Sequence, residues 1–375
     1  MRVVIAGGGT GGHLYPGLAL AEELRKRFGA EVMFMGTERG LESRVVPKEG
    51  YPIAFLPAEG VVGKSASRKL SAAVKLVRSI IRSRKLLASF EPDVVVGTGG
   101  YVSVAPVLSA RLLSMPVLIM EQNVVPGAAN RFLSRIADAV AATYMESTRH
   151  FPKGKTFLTG NPVRAGILSA ERQTSFSLFR LEPDGYFTVL VFGGSSGATS
   201  INKAVTEALE HLAGQKENIQ FLHQSGQRDY QAVREAYRGL GFRGMVVPFI
   251  YQMAEAYAVA DMVVSRAGAT TLAELTALGK PCVLVPYPYA GAHQEFNARK
   301  LEQFGAARLI MDEDLNGRRM AEEIRFFMEN EADRTEMAVK SRAIGQPDAA
   351  KKAADLVLSL VRMKRSFRGK DVQTV

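Results

Sequence analysis

Three short apolar runs in this sequence are each followed directly by a glycine-rich turn. The turns are GGGTGGH at 7–13, GTGGYVS at 97–103 and GGSSGA at 193–198. Helical patterns follow them, and further apolar runs at 31–36, 53–56 and 117–120 continue the alternation of strand and helix. Because such alternation is typical of parallel sheets covered by helices, we predict an α/β fold with doubly wound parallel sheets.

The alternation stops over about 150–187 and restarts with the strand and turn at 187–198. A chain of 375 residues is also long enough for two domains. We therefore predict one Rossmann-like domain over 1–163 and a second over 164–345. The last segment, 346–375, is expected to form a helix with a basic tail, and the whole of 334–362 reads as helical.

Positive charge is concentrated in the N-terminal half. Residues 1–163 hold 21 Lys and Arg against 12 Asp and Glu, a net charge of +9, whereas residues 164–375 hold 27 against 25, a net charge of +2. Residues 61–90 contain eight basic side chains and no acidic one. So uneven a distribution predicts an anionic partner for the N-terminal half.

The basic segment 68–88 reads as one amphipathic helix. Its basic stripe consists of Lys75, Arg78, Arg82 and Lys85, next to an apolar arc formed by Leu70, Val74, Val77, Ile81 and Ala88. In one interpretation the arc packs on the sheet and the basic residues are simply solvated. The absence of acids favours the other interpretation, an anionic lipid surface, and the absence of interleaved aromatic residues disfavours nucleic acid.

Other features indicate a protein of the cell interior. The chain has one cysteine, Cys282, in an apolar run, so it cannot form an intrachain disulfide. We find no signal-peptide pattern and no stretch of about 18 apolar residues. The sequence thus predicts a cytoplasmic protein without a membrane-spanning helix.

The first glycine turn matches the dinucleotide fingerprint, but its context favours another use. A nicotinamide site needs an acid at the end of the second strand, and here Gly36 and Thr37 end that strand, with Glu38 beyond it. Contact with a diphosphate remains expected. His13 ends this turn and Glu121 ends the strand at 117–120; each is either a structural polar group or a general base.

The stretch 265–297 has the features of a nucleotide-diphosphate site. Small residues precede a helix that carries Glu274, and the loop after the next strand contains His293, Gln294 and Asn297. The start of a helix attracts phosphate, and a carboxylate can accept both ribose hydroxyls. An ordinary helix–strand unit of an α/β core is the alternative.

Acidic residues at 312–314 match an Asp-x-Asp metal motif, but three acids before a helix are more often its first-turn charges. We therefore predict no metal site and no cofactor.

Together these motifs resemble one family along the whole chain. GGGTGGH, GTGGYVS, EQN at 121–123, GNPVR at 160–164, GGSSGA, HQSG at 223–226 and the 265–297 stretch occur in the order found in the MurG family of peptidoglycan N-acetylglucosaminyltransferases. The resemblance implies a GT-B fold, with two Rossmann-like domains facing each other across a cleft and a final helix that returns to the N-terminal domain. It also implies an inverting transfer of N-acetylglucosamine from its uridine diphosphate form to an undecaprenyl-diphosphate-linked N-acetylmuramoyl-pentapeptide.

Site residues follow from the same resemblance. His13 is the expected catalytic base, with Glu121 as the runner-up or as its orienting partner. Contacts with UDP-N-acetylglucosamine are expected from Thr10, Gly11, Gly12, Asn123, Arg164, Ser195, Ile250, Ala269, Thr270, Thr271, Leu272, Ala273, Glu274 and Gln294. Ile250 would read the uracil through its backbone, Glu274 the ribose and Gln294 the sugar. The turn with Gly99, Gly100 and Tyr101 is expected on the diphosphate of the acceptor.

Partners and alternatives complete these expectations. The partners are the two substrates and an anionic membrane surface, with the protein held peripherally on the cytoplasmic face. A UDP-N-acetylglucosamine 2-epimerase or another GT-B glycolipid transferase is the alternative enzyme. A non-catalytic protein that binds a nucleotide sugar or docks on membranes is the alternative outside enzymes, and a nicotinamide dehydrogenase is disfavoured.

Overall fold

The computed structural model describes residues 1–58, 66–194, 196–288 and 293–371; for 66–72, 365 and 367–371 it describes the helix but not the side chains. The chain divides into two compact units. Unit 1 contains Met1–Arg164 and Gln346–Val375, and unit 2 contains Ala165–Gly345.

The first part of unit 1 alternates strands and helices throughout. Its elements are β1 (Arg2–Ala6), α1 (Gly11–Phe28), β2 (Glu31–Gly36), α2 (Glu42–Lys48), β3 (Ile53–Phe55), α3 (Ala66–Phe90), β4 (Val94–Gly97), α4 (Val104–Leu112), β5 (Val117–Glu121), α5 (Ala128–Leu133), β6 (Ala139–Ala142), α6 (Met145–Thr148) and β7 (Thr156–Leu158).

Unit 2 alternates in the same way after two short helices. Its elements are α7 (Ala165–Ser169), α8 (Arg172–Ser175), β8 (Phe187–Phe192), α9 (Thr199–His211), β9 (Ile219–Gln224), α10 (Tyr230–Leu240), β10 (Arg243–Val247), α11 (Met253–Val259), β11 (Met262–Ser265), α12 (Ala269–Leu278), β12 (Cys282–Leu284), α13 (His293–Gln303), β13 (Arg308–Leu309), α14 (Gly317–Glu329) and α15 (Glu331–Ile344). The final helix, α16 (Ala349–Asp371), belongs to unit 1.

Each unit is built around one parallel sheet, and the two sheets share a topology. The order is β3-β2-β1-β4-β5-β6-β7 in unit 1 and β10-β9-β8-β11-β12-β13 in unit 2, with parallel pairing throughout. In both, the third, second, first and fourth strands stand side by side, as in Rossmann folds. The predicted doubly wound α/β fold is therefore confirmed, and so is the use of one kind of unit twice.

Central strands are buried on both faces, which explains why they read as continuous apolar runs rather than alternating ones. Val3, Val4 and Ile5 of β1 are all buried, because helices cover the sheet on both sides. One of these covering helices is α16, which packs against α1 and places Val357 and Leu360 in the same hydrophobic core.

Glycines end two of the helices where the sequence predicts it. The N–H of Gly29 donates to carbonyls of the last turn of α1, and Gly279 closes α12 in the same way. Each glycine adopts the left-handed conformation that favours glycine at a helix end.

The prediction that 334–362 is helical is wrong at 345–348, where a non-helical segment separates α15 from α16. Gly345 lies against α12 so closely that a Cβ there would stand 2.4 Å from the carbonyl oxygen of Thr276. Pro347 lies within this break and disfavours a helical conformation of the preceding Gln346, which accounts for the interruption.

Among the described residues, no helix combines the length and the apolar character needed to cross a bilayer.

Candidate functional site

In unit 1, the predicted residues gather where the strand order reverses, between β1 and β4. The turns after these two neighbouring strands touch each other, since Thr98 N donates to Ala6 O at 2.9 Å and a Cβ on Gly99 would stand 2.9 Å from the His13 ring. This edge of an open α/β sheet is where ligands bind. The turn at 7–13 and the turn at 97–103 therefore form one site, which brings Thr10, Gly11, Gly12 and His13 together with Gly99, Gly100 and Tyr101.

His13 lies in the first turn of α1, and a backbone carbonyl orients its ring. The Nδ1 atom is 3.0 Å from Thr98 O. A carbonyl oxygen only accepts hydrogen bonds, so Nδ1 carries the hydrogen in this contact and the lone pair of the neutral ring is on Nε2. Gln122 Nε2 donates to the same carbonyl at 3.0 Å and holds it in place.

Glu121 is buried at the end of β5 and binds the loop that follows it. Its carboxylate accepts hydrogen bonds from Asn123 N and Nδ2 at 2.9 and 3.0 Å, from Gly127 N at 3.2 Å and from Asn130 Nδ2 at 2.9 Å. These contacts agree with the structural alternative, a satisfied carboxylate that shapes the loop around Asn123. A direct role as a base stays a prediction.

The sequence interpretation missed Glu42, which occupies the first glycine turn. This fully buried carboxylate accepts from Gly9 N at 2.8 Å and from the N–H and hydroxyl of Thr37 at 2.8 and 2.7 Å. A dinucleotide site would offer Gly9 N–H to phosphate, but here an internal anion already takes it. This contact argues further against a nicotinamide site. In the sequence, the only sign of Glu42 is an acidic residue four positions after Glu38.

Arg164 ends the first segment of unit 1 and stacks on an aromatic ring of α1. Its guanidinium carbon lies 4.4 Å from the centre of the Tyr15 ring. This contact ties the predicted donor residue Arg164 to the helix that begins with His13.

In unit 2, the equivalent position lies between β8 and β11. Of the turn at 193–198, Ser195 lies outside the described residues. The Gln224 side chain joins this turn to the predicted uracil site, since Nε2 donates to Gly194 O at 2.8 Å and Oε1 accepts from Ile250 N at 2.8 Å. Gln224 thus fixes the distance between a phosphate-binding turn and the backbone at Ile250.

Helix α12 begins directly after β11 and carries six of the predicted donor residues. Ala269, Thr270, Leu272 and Glu274 are buried, and Thr271 and Ala273 are half-buried. The Glu274 side chain is 6% exposed, and its Oε2 accepts a hydrogen bond from the Tyr257 hydroxyl at 2.8 Å. Leu272 is fully buried in the interior.

Gln294 lies in the first turn of α13. Its Oε1 accepts from Tyr287 N at 2.9 Å and so closes the loop after β12, of which residues 289–292 lie outside the described residues.

The acidic motif at 312–314 has a structural use at Asp312. This carboxylate accepts from Ser200 Oγ at 2.7 Å and forms an ion pair with Arg266 at 2.5 Å. The same guanidinium donates to Val285 O and Pro286 O at 3.2 and 3.0 Å. Arg266 therefore connects the start of α9 with the loop after β12, and Asp312 is its counter-ion.

The basic helix α3 exposes part of its apolar arc. Val74, Val77 and Ile81 are 47%, 57% and 53% exposed, whereas Ser79, Ser83 and Leu87 on the opposite side are buried. Arg78, Arg82 and Lys85 are exposed beside the apolar side chains, and Lys75 is half-buried. The arc does not pack on the sheet, so the simpler interpretation of this helix fails for these three residues.

His223 is a buried histidine without a predicted role. Its Nε2 lies 3.0 Å from Asn202 Oδ1 and its Nδ1 lies 3.2 Å from the Tyr237 hydroxyl. Burial lowers the pKa of His223 to about 3, so the ring is neutral in the folded protein. Through its contact with Asn202, His223 supports the first turn of α9.

Comparisons with known proteins agree with this arrangement. The glycosyltransferase family 28 N-terminal domain matches residues 3–142, and the family 28 C-terminal domain matches residues 188–357. A relative from Thermodesulfovibrio yellowstonii, a UDP-N-acetylglucosamine–N-acetylmuramyl-(pentapeptide) pyrophosphoryl-undecaprenol N-acetylglucosamine transferase, is 49% identical over 97% of this chain and 100% of its own length.

Solved structures show the same architecture. The crystal structure of Acinetobacter baumannii MurG covers 96% of this chain and 99% of its own, at 32% identity and a TM-score of 0.74. UDP-N-acetylglucosamine 2-epimerase from Neisseria meningitidis reaches a TM-score of 0.69 at 16% identity, over 96% of this chain and all of its own, which shows a shared fold only. The GT-B fold class is confirmed. The chain belongs to glycosyltransferase family 28 and, within it, to the MurG family of glycosyltransferases.

Proposed function

We propose that this enzyme transfers N-acetylglucosamine from UDP-N-acetylglucosamine to the muramoyl 4-hydroxyl of undecaprenyl-diphosphate-linked N-acetylmuramoyl-pentapeptide, with inversion at the anomeric carbon. The observation that carries the proposal is the 49% identity, along nearly the full chain, to a relative whose name states this transfer. The reaction converts lipid I to lipid II, a step of peptidoglycan synthesis for cell-wall growth and division.

In unit 2, the residues proposed to bind the donor lie on α12, in the turn at 193–198, at Ile250 and on α13. The N-terminus of α12 and the turn at 193–198 hold the diphosphate, Glu274 binds the ribose, and the backbone of Ile250 binds the uracil. Gln294 contacts the sugar. In unit 1, the residues proposed to contact the donor are Thr10, Gly11, Gly12, Asn123 and Arg164, which lie in or near its own glycine turns and loops. Backbone N–H groups at the start of α12 stabilise the negative charge that grows on the departing diphosphate.

His13 is the proposed general base for the acceptor hydroxyl. An inverting displacement needs a group that removes this proton as the sugar moves, and Nε2 of a neutral histidine suits that task. The contact of Nδ1 with Thr98 O supports this tautomer. Glu121 acts less directly, by shaping the loop that carries Asn123. The turn with Gly99, Gly100 and Tyr101 binds the acceptor diphosphate.

Helix α3 is the proposed membrane-binding element. An exposed apolar stripe beside exposed basic residues is the pattern of a helix that lies in a lipid interface with anionic headgroups. Val77 and Ile81 would enter the interface, and Lys75, Arg78, Arg82 and Lys85 would contact the headgroups. The enzyme would then act as a peripheral protein on the cytoplasmic face of the cell membrane, where a lipid-linked acceptor is presented.

A transfer assay tests the proposal. The enzyme is incubated with labelled UDP-N-acetylglucosamine and a short-chain lipid-linked muramoyl-pentapeptide. We expect label in a lipid-linked disaccharide only when the acceptor is present. Formation of UDP-N-acetylmannosamine without transfer would instead assign the epimerase reaction.

A further inference from the structure

The hydroxyl of Tyr257 donates a hydrogen bond to Glu274, on which the proposed ribose contact depends. The distance from Tyr257 Oη to Glu274 Oε2 is 2.8 Å, and the tyrosine is fully buried. The two residues come from different helices, α11 and α12, with β11 between them in the sequence. The contact therefore exists only in the folded unit.

Packing fixes the position of this hydroxyl. The edge of the Phe192 ring meets the Tyr257 ring, with a centroid distance of 6.0 Å and an interplanar angle of 74°. Phe192 is the last residue of β8, so it directly precedes the glycine turn at 193–198. Because Phe192 packs against the Tyr257 ring, the hydroxyl of Tyr257 is held in one position.

A carboxylate needs such a partner if it is to recognise two neighbouring hydroxyls. The terminal torsion of a glutamate is broad, so without a fixed partner the two oxygens rotate over a wide range. One hydrogen bond to Oε2 restricts this rotation and does not exhaust a carboxylate, which can accept about four. The orientation of Glu274 toward a ribose is then set before the nucleotide arrives.

We infer that Tyr257 is a positioning residue that, through Glu274, makes the donor site select ribose over 2′-deoxyribose. The inference rests on the proposed function, because it takes Glu274 as the ribose contact. Tyr257 does not touch the reacting atoms, so its effect should fall on nucleotide recognition rather than on the chemical step.

Calorimetric titration with UDP and with 2′-deoxy-UDP tests the inference. We expect the wild-type protein to bind UDP at least tenfold more tightly than 2′-deoxy-UDP. In Tyr257→Phe this preference should fall to about twofold, because a carboxylate that is no longer held in place loses more affinity for UDP, with two hydroxyls, than for 2′-deoxy-UDP, with one. In transfer assays the variant should raise the KM for the donor and keep kcat within about twofold.

Two further variants separate positioning from general damage. Tyr237→Phe removes another buried hydroxyl of unit 2, one that bonds His223 at 3.2 Å, and it should leave the ribose preference unchanged. Glu274→Gln should abolish the preference, and adding Tyr257→Phe to it should change the ratio less than twofold, because the hydroxyl acts only through the carboxylate.

Equal weakening of both nucleotides in Tyr257→Phe, or an unchanged affinity for UDP, would overturn the inference. A wild-type protein without a preference for ribose would overturn it as well. Failure of the proposed reaction has another signature: UDP binds with ribose preference, but no sugar reaches the lipid-linked acceptor.

Discussion

At His13, a backbone carbonyl decides which ring nitrogen holds the hydrogen. The contact of 3.0 Å between Nδ1 and Thr98 O leaves the basic lone pair on Nε2. Gln122 and the close approach of Gly99 hold the carbonyl and the ring in this arrangement. In the proposed mechanism, a preset tautomer would save a rearrangement before the proton transfer.

His13→Asn tests the role of Nε2. The asparagine amide can still donate to Thr98 O, but it has no basic nitrogen. We expect kcat to fall by about 10²- to 10⁴-fold, the usual contribution of a general base, with the affinity for UDP within about threefold of wild type. Steady-state kinetics and calorimetry give the two values. His150→Asn, at a half-buried histidine of the same unit, is the control, and a kcat near wild type in His13→Asn would exclude the base.

The burial of His223 makes a prediction for acid stability. The pKa of His223 is about 3 in the folded protein and 6.5 ordinarily. Between these two values the unfolded chain binds a proton at His223 and the folded chain does not. The stabilisation is complete above pH 6.5 and is lost as the pH falls from there toward 3. Urea unfolding should show that His223→Gln removes a pH dependence that approaches about 1.4 kcal/mol per unit between pH 5.5 and 4. The same slope in both proteins would contradict the assignment.

Some candidate site residues can be picked out from the sequence and others cannot. His13 and Glu274 stand beside glycine turns or at helix starts, so local pattern finds them. Tyr257, Glu42 and Arg266 act on groups 17, 33 and 46 residues away, and no local pattern reports such contacts.

At the scale of elements, α3 shows what amphipathic pattern leaves undecided. The pattern predicts the helix and its stripes, but not which side faces the protein. Small residues decide this, because Ser109 on α4 donates to Ile80 O and Ser79 donates to Pro57 O, both at 3.0 Å. The serine side packs closely, and Val77 and Ile81 face outward.

Two sets of substitutions in α3 test membrane binding by co-sedimentation with phosphatidylglycerol vesicles. Changing Lys75, Arg78, Arg82 and Lys85 to glutamine should weaken binding by at least 100-fold, since each basic residue near an anionic surface contributes about 1 kcal/mol. This loss should shrink at high salt. Changing Val77 and Ile81 to serine should weaken binding at any salt concentration.

The matched control replaces exposed arginines of unit 2. Arg180, Arg234, Arg238 and Arg318 are exposed, so their joint change to glutamine removes the same four charges and should leave vesicle binding nearly intact. Equal losses in both sets would show that net charge, rather than the α3 surface, attracts the vesicle.

At the scale of the whole molecule, both units arrange their first four strands in the same order. The order of strands in both sheets places two glycine turns, or a turn and a helix start, side by side at the reversal of strand order. This much was predictable, because a buried strand, a glycine turn and a helix are each visible in sequence. The strands β6, β7 and β13 were not predictable. β6 reads AVAA, in which alanine has little preference for a strand, and β7 and β13 have only three and two residues, too few to show a pattern.

Transfer to an acceptor presented in anionic vesicles tests the central claim most directly. The enzyme receives UDP-N-acetylglucosamine and vesicles that contain the lipid-linked muramoyl-pentapeptide, and both UDP release and disaccharide formation are followed. We predict one UDP for each β-linked disaccharide and no release without the acceptor. Release of UDP without a lipid-linked disaccharide, or no release in the presence of both substrates, would contradict the account.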